Sequence, residues 1–415
     1  MSAPAMNLRQ AMKNLDPKES LSLKELKIFY VPREDSPLKR LILDLEEADE
    51  QKFLFTGHRG TGKSSELAKL EAELLPENTY QVIRFSVRDF LDIYDLDYKD
   101  VILALFFATV RFAEGQKLKL SRAVEAIVKD LLNFGQEIER TDEREYGGGV
   151  EAEGGTEGFL AQFLKLGLRF KAEASTRTSI RTTVSHRLRD LLTGLETLSK
   201  DIERLTGRKL LYIVEDLDKT DLHVAETLFF KHAQSLTEPR SPIIYTFPIA
   251  LFHSNHYQQI KQFFTDTKFL PNFKTKAKAG KDDAKGCEAL RNILLKRVHE
   301  SLFEDGVIDL LVNYCGGIPR ILIQLARSAC LEARVNDHEL VTLADAQEAI
   351  AAERRDYQLM LNQERESLLK LVRESKEIEN TDNYRELLHN LSIVQYRNGQ
   401  YWYDVHPLVK DLLGD

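Results

Sequence analysis

Short apolar runs and longer helical stripes alternate along the first two thirds of this chain. Phe53-Leu-Phe-Thr, Tyr80-Gln-Val-Ile-Arg-Phe-Ser, Lys209-Leu-Leu-Tyr-Ile-Val214 and Pro242-Ile-Ile-Tyr-Thr246-Phe are each a few residues long. All are rich in β-branched and aromatic side chains, a pattern that predicts buried strands. Lys268-Phe-Leu-Pro-Asn-Phe-Lys274 predicts a last one. Between them, Pro37-Leu-Lys-Arg-Leu-Ile-Leu-Asp-Leu carries its apolar residues at helical spacing, with Ser36 as N-cap and Pro37 in the first turn. Residues 97–115 predict a strongly apolar helix. Strands alternating with helices predict a parallel, doubly wound sheet, whose ligands sit beyond the C-terminal strand ends.

The periodicity changes at both ends and once in the middle. Residues 1–28 predict a partly polar helical arm, 29–280 the α/β core, and 281–360 a helical unit. The last unit, 361–415, has two helices followed by Ile393-Val-Gln-Tyr-Arg-Asn398-Gly399-Gln-Tyr-Trp-Tyr-Asp-Val405. Alternation on both sides of Asn-Gly predicts a hairpin, and helices followed by a hairpin predict a winged helix. The gap between the second and third strands far exceeds what a βαβ unit of roughly 30 residues needs. Residues 116–208 therefore read as a helical insertion whose acidic, glycine-rich middle, 137–157, forms a loop.

Composition narrows the class. Hydrophobic residues make up 43% of 415, and no apolar run approaches the ~20 residues of a membrane span. The start of the chain carries no signal-peptide pattern. Cys287, Cys315 and Cys330 lack metal-ligand spacing and read as reduced thiols of a cytoplasmic protein. A net charge of −8 argues against wholesale coating of nucleic acid. Arg169, Lys171, Arg177, Arg181, Arg187 and Arg189 form a basic stretch, read as a solvated surface ahead of a nucleic-acid or partner face. Lys274, Lys276, Lys278, Lys281 and Lys285 read as a polar loop. The recognition helix of the predicted winged helix offers Arg385 and His389 beside Glu386, a poor phosphate-binding surface, so packing or protein contact is favoured for it. The ten histidines are scattered, and no nuclease, protease or deaminase pattern is present.

Chemistry concentrates in a few places. Gly57-His-Arg59-Gly60-Thr61-Gly62-Lys63-Ser64-Ser65 fits G-x-x-x-x-G-K-[ST] between a strand and a helix. Its glycines let backbone N–H groups turn around phosphate oxygens at a helix N-terminus. Lys63 would reach the β/γ-phosphates and the Ser64 hydroxyl would ligate Mg²⁺. The strand 209–214 ends in Glu215-Asp216-Leu217-Asp218-Lys219. By position Glu215 takes the metal role and Asp216 the water-polarising role, in an order opposite to the commoner Asp-first arrangement. Thr246 closes the next strand, where it would sense the γ-phosphate or water, or cap the following segment. Gly316-Gly317-Ile-Pro319-Arg320 ends one helix and starts another, with Arg320 placed to reach a γ-phosphate from a lid.

The constellation resembles the AAA+/STAND group of P-loop ATPases, especially origin-recognition initiators. Gly57–Ser64 is similar to Walker A, Leu210–Asp216 to Walker B, Thr246 to sensor 1, and Gly316–Arg320 to the sensor-2 element. Phe29-Tyr-Val31-Pro32-Arg33-Glu resembles the entry motif whose backbone lies near adenine, and Glu215-Asp216-Leu-Asp-Lys the acidic motif of KAP-type ATPases. The resemblance covers 29–115 and 209–415. It implies an AAA+-like P-loop core with helical lid and C-terminal winged helix, and ATP bound with Mg²⁺ between core and lid. It also implies a homo-oligomer in which a neighbouring subunit's arginine completes the site; Arg240 is the candidate by location. The leading expectation is an ATP-dependent switch or motor engaging a partner. A DNA-binding initiator or loader, and a non-hydrolysing regulator of a separate effector, as in bacterial defence, are the alternatives.

Overall fold

The computed structural model describes residues 4–18, 20–129, 159–278, 280–281 and 283–414. Five strands form a parallel sheet: β1 Lys52–Thr56, β2 Tyr80–Ser86, β3 Lys209–Glu215, β4 Ile243–Phe247 and β5 Asp266–Phe269. Their order across the sheet is β2-β3-β4-β1-β5. β1 lies between β4 and β5, with Phe55 opposite both Thr246 and Lys268. All five of its residues are buried, so the loop that follows it starts from a rigid support. β5 begins two residues earlier than the apolar pattern suggests and ends at Phe269, ahead of Pro271, which has no N–H for a strand ladder.

Helices cover both faces. On one, α3 (Leu38–Glu47) and α4 (Lys63–Glu77) bury Leu41, Leu67 and Leu70 against Phe53, Phe55 and Ile213. α3 starts one residue later than expected, with Pro37 at its N-cap, and Ser36 Oγ accepts the Leu38 N–H from the residue before that cap. On the other, α5 (Tyr98–Gly115) is buried on nearly every side, starting at an Asp97 capping box. It packs beneath α6 (Phe159–Ala172) and α7 (Ala174–Thr206), which occupy the stretch expected to hold an insertion. Its predicted acidic, glycine-rich middle lies outside the described residues. Within the basic stretch, Arg177 and Arg181 turn inward onto Asp92, Asp95 and Asp100, which explains their charge without a ligand. Three free cysteines are present, Cys315 and Cys330 being buried in a helical core.

That second core joins parts far apart in sequence. α1 (Leu8–Asn14) and the helices Ala284–Leu295, Val307–Tyr314, Pro319–Val335 and Leu343–Gln358 share it with the C-terminal unit. The C-terminal unit comprises Gln363–Ser375, Asp382–His389 and the antiparallel hairpin β6 (Ile393–Asn398) and β7 (Gln400–Val405), joined at Gly399. α2 (Leu23–Phe29), entered through a Ser22 capping box, leads from the arm to the core. Among the described residues no helix is long and apolar enough to cross a membrane.

Candidate functional site

At the C-terminal end of β1 the chain turns through Gly57–Gly62 into α4, whose first residue is Lys63. Gly60 sits at φ +82, and a Cβ there would come within 2.8 Å of the Arg320 Cβ. Arg320 N–H donates to Gly60 O at 3.2 Å, so the lid element rests directly on the loop's backbone. Arg33 fixes the loop from the other side. Its Nη1 donates to Thr61 O at 2.7 Å, its Nη2 to Pro271 O, and its plane lies 4.0 Å over the Phe273 ring.

Lys63 is almost fully enclosed. Its Nζ donates to Gly57 O at 2.8 Å and His58 O at 2.9 Å and pairs with Asp218 Oδ2 at 2.8 Å. Burial pulls the ammonium below its ordinary range, opposed by Asp218. Burial works to raise Asp218 in turn, but the Lys63 charge overcomes it and leaves the carboxyl low. The reason Asp218 arrives there is a backbone reversal. Asp216 adopts φ +71, a left-handed conformation uncommon outside glycine, which swings Leu217–Lys219 back beneath the loop. Asp218 escaped the sequence reading although it stands in the acidic run after β3; the run shows carboxylates but not which one turns inward.

The other two acids face the same cavity with different partners. Glu215 accepts from Arg84 Nη1 at 2.7 Å, and the nearby Ser64 hydroxyl works to hold its pKa down. Burial pushes its pKa up, with Arg84 as the main opposing charge. Asp216 accepts from Ser86 Oγ at 2.7 Å and pairs with Lys219. Thr246 lies deeper. Its Oγ1 accepts the Leu217 N–H at 3.1 Å and donates to Val214 O, bracing the turn that carries the acids rather than lining the cavity. Arg240 stands on the surface against Glu196.

The cavity between core and lid measures about 410 Å³, within the usual range for small-molecule sites. It brings together Val31, Arg33, Arg59, Gly60–Ser65, Glu215, Asp216, Pro319 and Arg320; Gly57 and Pro32 stand outside its lining. Phe29, Tyr30, Phe273, Ile293 and Ile323 supply apolar lining, and Asp16 and Lys18 of the N-terminal arm line it too. The Ser64 hydroxyl beside two carboxylates supplies oxygen donors of the kind Mg²⁺ takes. Among the described residues no group of three or more His, Cys, Asp or Glu is arranged to hold a metal ion, so such an ion would complete its shell with water or with oxygens of a bound ligand.

Removing Asp218 is expected to separate the pair's two roles. Asp218→Asn leaves a buried ammonium without a countercharge, a loss of roughly 3–5 kcal/mol. Melting of the ligand-free protein should therefore drop, and added ATP should raise it by more than in wild type. Unchanged melting without ligand would contradict the assigned pair.

The C-terminal unit closes over the loop. His58, buried beside Gly57, accepts the Gln395 N–H of β6 through Nε2 at 2.8 Å, and Arg59 Nη2 lies 2.9 Å from His389 Nε2. Asn272 donates to Gln395 O, and Tyr396 OH donates to Gly316 O at 2.9 Å. Nothing in the local pattern of either segment announces these contacts. Burial, with Lys63 adding to it, lowers His58 to about 3; burial and Arg59 lower His389 to about 4; burial lowers His406 to about 4. Folded values thus lie below the unfolded value of about 6.5. The stability these neutral rings support is complete above that pH. It is lost as pH falls from 6.5 towards 4, where only the unfolded chain takes up the proton, by up to about 1.4 kcal/mol per pH unit for each ring. Thermal melts across that window should fall more steeply for wild type than for His58→Gln, which keeps an acceptor without a titrating group. Parallel slopes would contradict the assignment.

No protein-family model matches this chain, and no curated protein matches it significantly. Solved structures do. Cdc6p from Pyrobaculum aerophilum is 12% identical, over 96% of this chain and 95% of its own, with a TM-score of 0.44. ORC1 from Aeropyrum pernix, solved in complex with DNA, is 15% identical over 97% and 95%, with a TM-score of 0.42. The RuvB Holliday junction branch migration motor of Thermotoga maritima is 13% identical over 96% and 98%, with a TM-score of 0.40.

Proposed function

We propose that this chain is an ATP-binding and ATP-hydrolysing switch of the AAA+/STAND kind, which passes nucleotide state to its lid and C-terminal unit. The observation that carries this is the convergence at one cavity of the loop residues 59–65, Lys63 among them, three carboxylates and a lid arginine element bonded to the loop's backbone. Ser64 and Glu215, with Asp216 beside them, would hold Mg²⁺, which neutralises phosphate charge when bound. Lys63 exchanges Asp218 for phosphate oxygens, a substitution of one anion for another that suits a buried ammonium. Asp216, released from Ser86 and Lys219, is the acid placed to polarise an attacking water. Val31, Arg33, Pro319 and Arg320 all line the cavity, and in this reading the first two would close its base end and the last two its phosphate end.

Work done by such a switch resides in differential binding: a nucleotide shifts only equilibria whose states it binds unequally. Arg59 and His58 tie the loop to the C-terminal unit, so a loop rearranged by phosphate changes those contacts. That output suits homo-oligomer assembly or engagement of a separate protein effector. DNA engagement through Asp382–His389 is less well served, because Arg385 pairs with Asp382, Arg365 with Glu386, and the helix packs against Ile249–Phe252. The test is ATP turnover by wild type, Lys63→Ala and Asp216→Ala. Turnover in wild type alone supports the reading; equal turnover in all three would sink it.

A further inference from the structure

Alternation along β2 puts Arg84 and Ser86 on one face, towards Glu215 at the end of the neighbouring strand and Asp216 just after it. Arg84 is the one charged residue of β2, and it is held at both ends of its fork. Nε donates to Glu71 Oε2 at 2.7 Å and Nη1 to Glu215 Oε1 at 2.7 Å. Arg84 and Glu71 are each less than one-fifth exposed, and Glu215 is 8% exposed at its side chain. Glu71 follows Ser64 by seven residues, two helical turns along the same face of α4, so the ladder Ser64–Glu215–Arg84–Glu71 starts at the cavity, which its first three members line, and leads away along α4 to Glu71.

The carboxylate best placed for a metal therefore already has a cation. A divalent ion approaching Glu215 alone meets the repulsion of a guanidinium already bonded to that carboxylate and shared with Glu71. We propose that Arg84 is a positioning residue that makes metal entry depend on nucleotide phosphate, holding Glu215 until phosphate oxygens bring enough negative charge to offset the guanidinium. This rests on the nucleotide reading of the site. Arg84 acts through Glu215 and through no contact with the reacting atoms.

The test separates metal from nucleotide. A fluorescent ATP analogue is titrated into wild type, Arg84→Met, Arg84→Lys and the double variant Glu71→Gln/Arg84→Met, first with a chelator and then across a Mg²⁺ series. The double variant leaves no unpaired Glu71 and carries the test if the single variant fails to fold. Chelator affinities should stay within about threefold of wild type, while half-saturating Mg²⁺ falls on the order of tenfold in both methionine variants, as expected for loss of one close charge. Arg84→Lys should return it towards wild type. Half-saturating Mg²⁺ that is unchanged or raised in both methionine variants makes Arg84 a bracket between β2, β3 and α4, and overturns the proposal. A tenfold or greater loss of affinity in chelator makes Arg84 a phosphate ligand and overturns it equally. Wild type that binds the analogue under neither condition removes the nucleotide reading and this proposal with it.

Discussion

Lys63→Ala is expected to lose ATP binding by at least about 100-fold, and the ligand-free protein to melt at a lower temperature. The first effect follows from removing the one ammonium that the loop directs into the cavity, a loss of roughly 3 kcal/mol or more for a desolvated charge pair. The second follows from Asp218, which Lys63 now pairs at 2.8 Å and which would stay buried without a countercharge. The two separate in Lys63→Ala/Asp218→Asn. Melting should recover because no buried charge is left alone, whereas binding should not, because the phosphate contact is still missing. Calorimetric titration with ATP and Mg²⁺, beside thermal melts of the same samples, checks both. Recovery of binding in the double variant would contradict the role given to Lys63.

Gly317→Ala is expected to cost stability on a comparable scale. Gly317 sits at φ +76, where an L-residue is disfavoured by about 1–2 kcal/mol, and its Cβ would fall 1.9 Å from Phe273 O. That oxygen belongs to backbone already committed to this place: Phe273 N–H donates to Gly317 O at 3.0 Å, and Phe273 carries the Arg33 guanidinium on its ring. Relief requires moving either the lid turn or the segment that supports the loop. A total loss of roughly 3–5 kcal/mol is expected, placing the change among the severe substitutions. Denaturant melts measure it, and a variant as stable as wild type would show that the turn has room the structure denies.

These expectations draw on different depths of information. The glycine loop, the apolar strand ending in acids, Gly316–Arg320 and the Asn398-Gly399 hairpin were legible because each is written in consecutive residues with strong local preferences. The parallel sheet followed from strands alternating with helices; the strand order, with β1 between β4 and β5, did not, since no local preference encodes which strands adjoin. Asp218 and Arg84 were visible only as residue types. Their partners Lys63 and Glu215 lie more than a hundred residues away in sequence, and a reversed φ at Asp216 decides which acid turns inward. Thr246 illustrates the same limit. A buried hydroxyl at a strand end suits sensing or capping, and its hydrogen bonds to Leu217 and Val214 give it a bracing role. Arg177 and Arg181 looked like surface charge until their aspartate partners on the preceding segment came into place. The docking of β6 onto His58 had no signal at all, because a backbone N–H donor is the same at every non-proline position.

The central claim is that phosphate bound in the loop changes the contacts the loop makes with lid and C-terminal unit. Backbone hydrogen exchange, followed residue by residue with and without ATP and Mg²⁺, tests it directly. Protection should rise across 57–64, and exchange should change at the Arg320 and Gln395 amides, whose acceptors are Gly60 O and the His58 ring. Protection confined to the loop, with Arg320 and Gln395 exchanging as they do without nucleotide, would contradict the account.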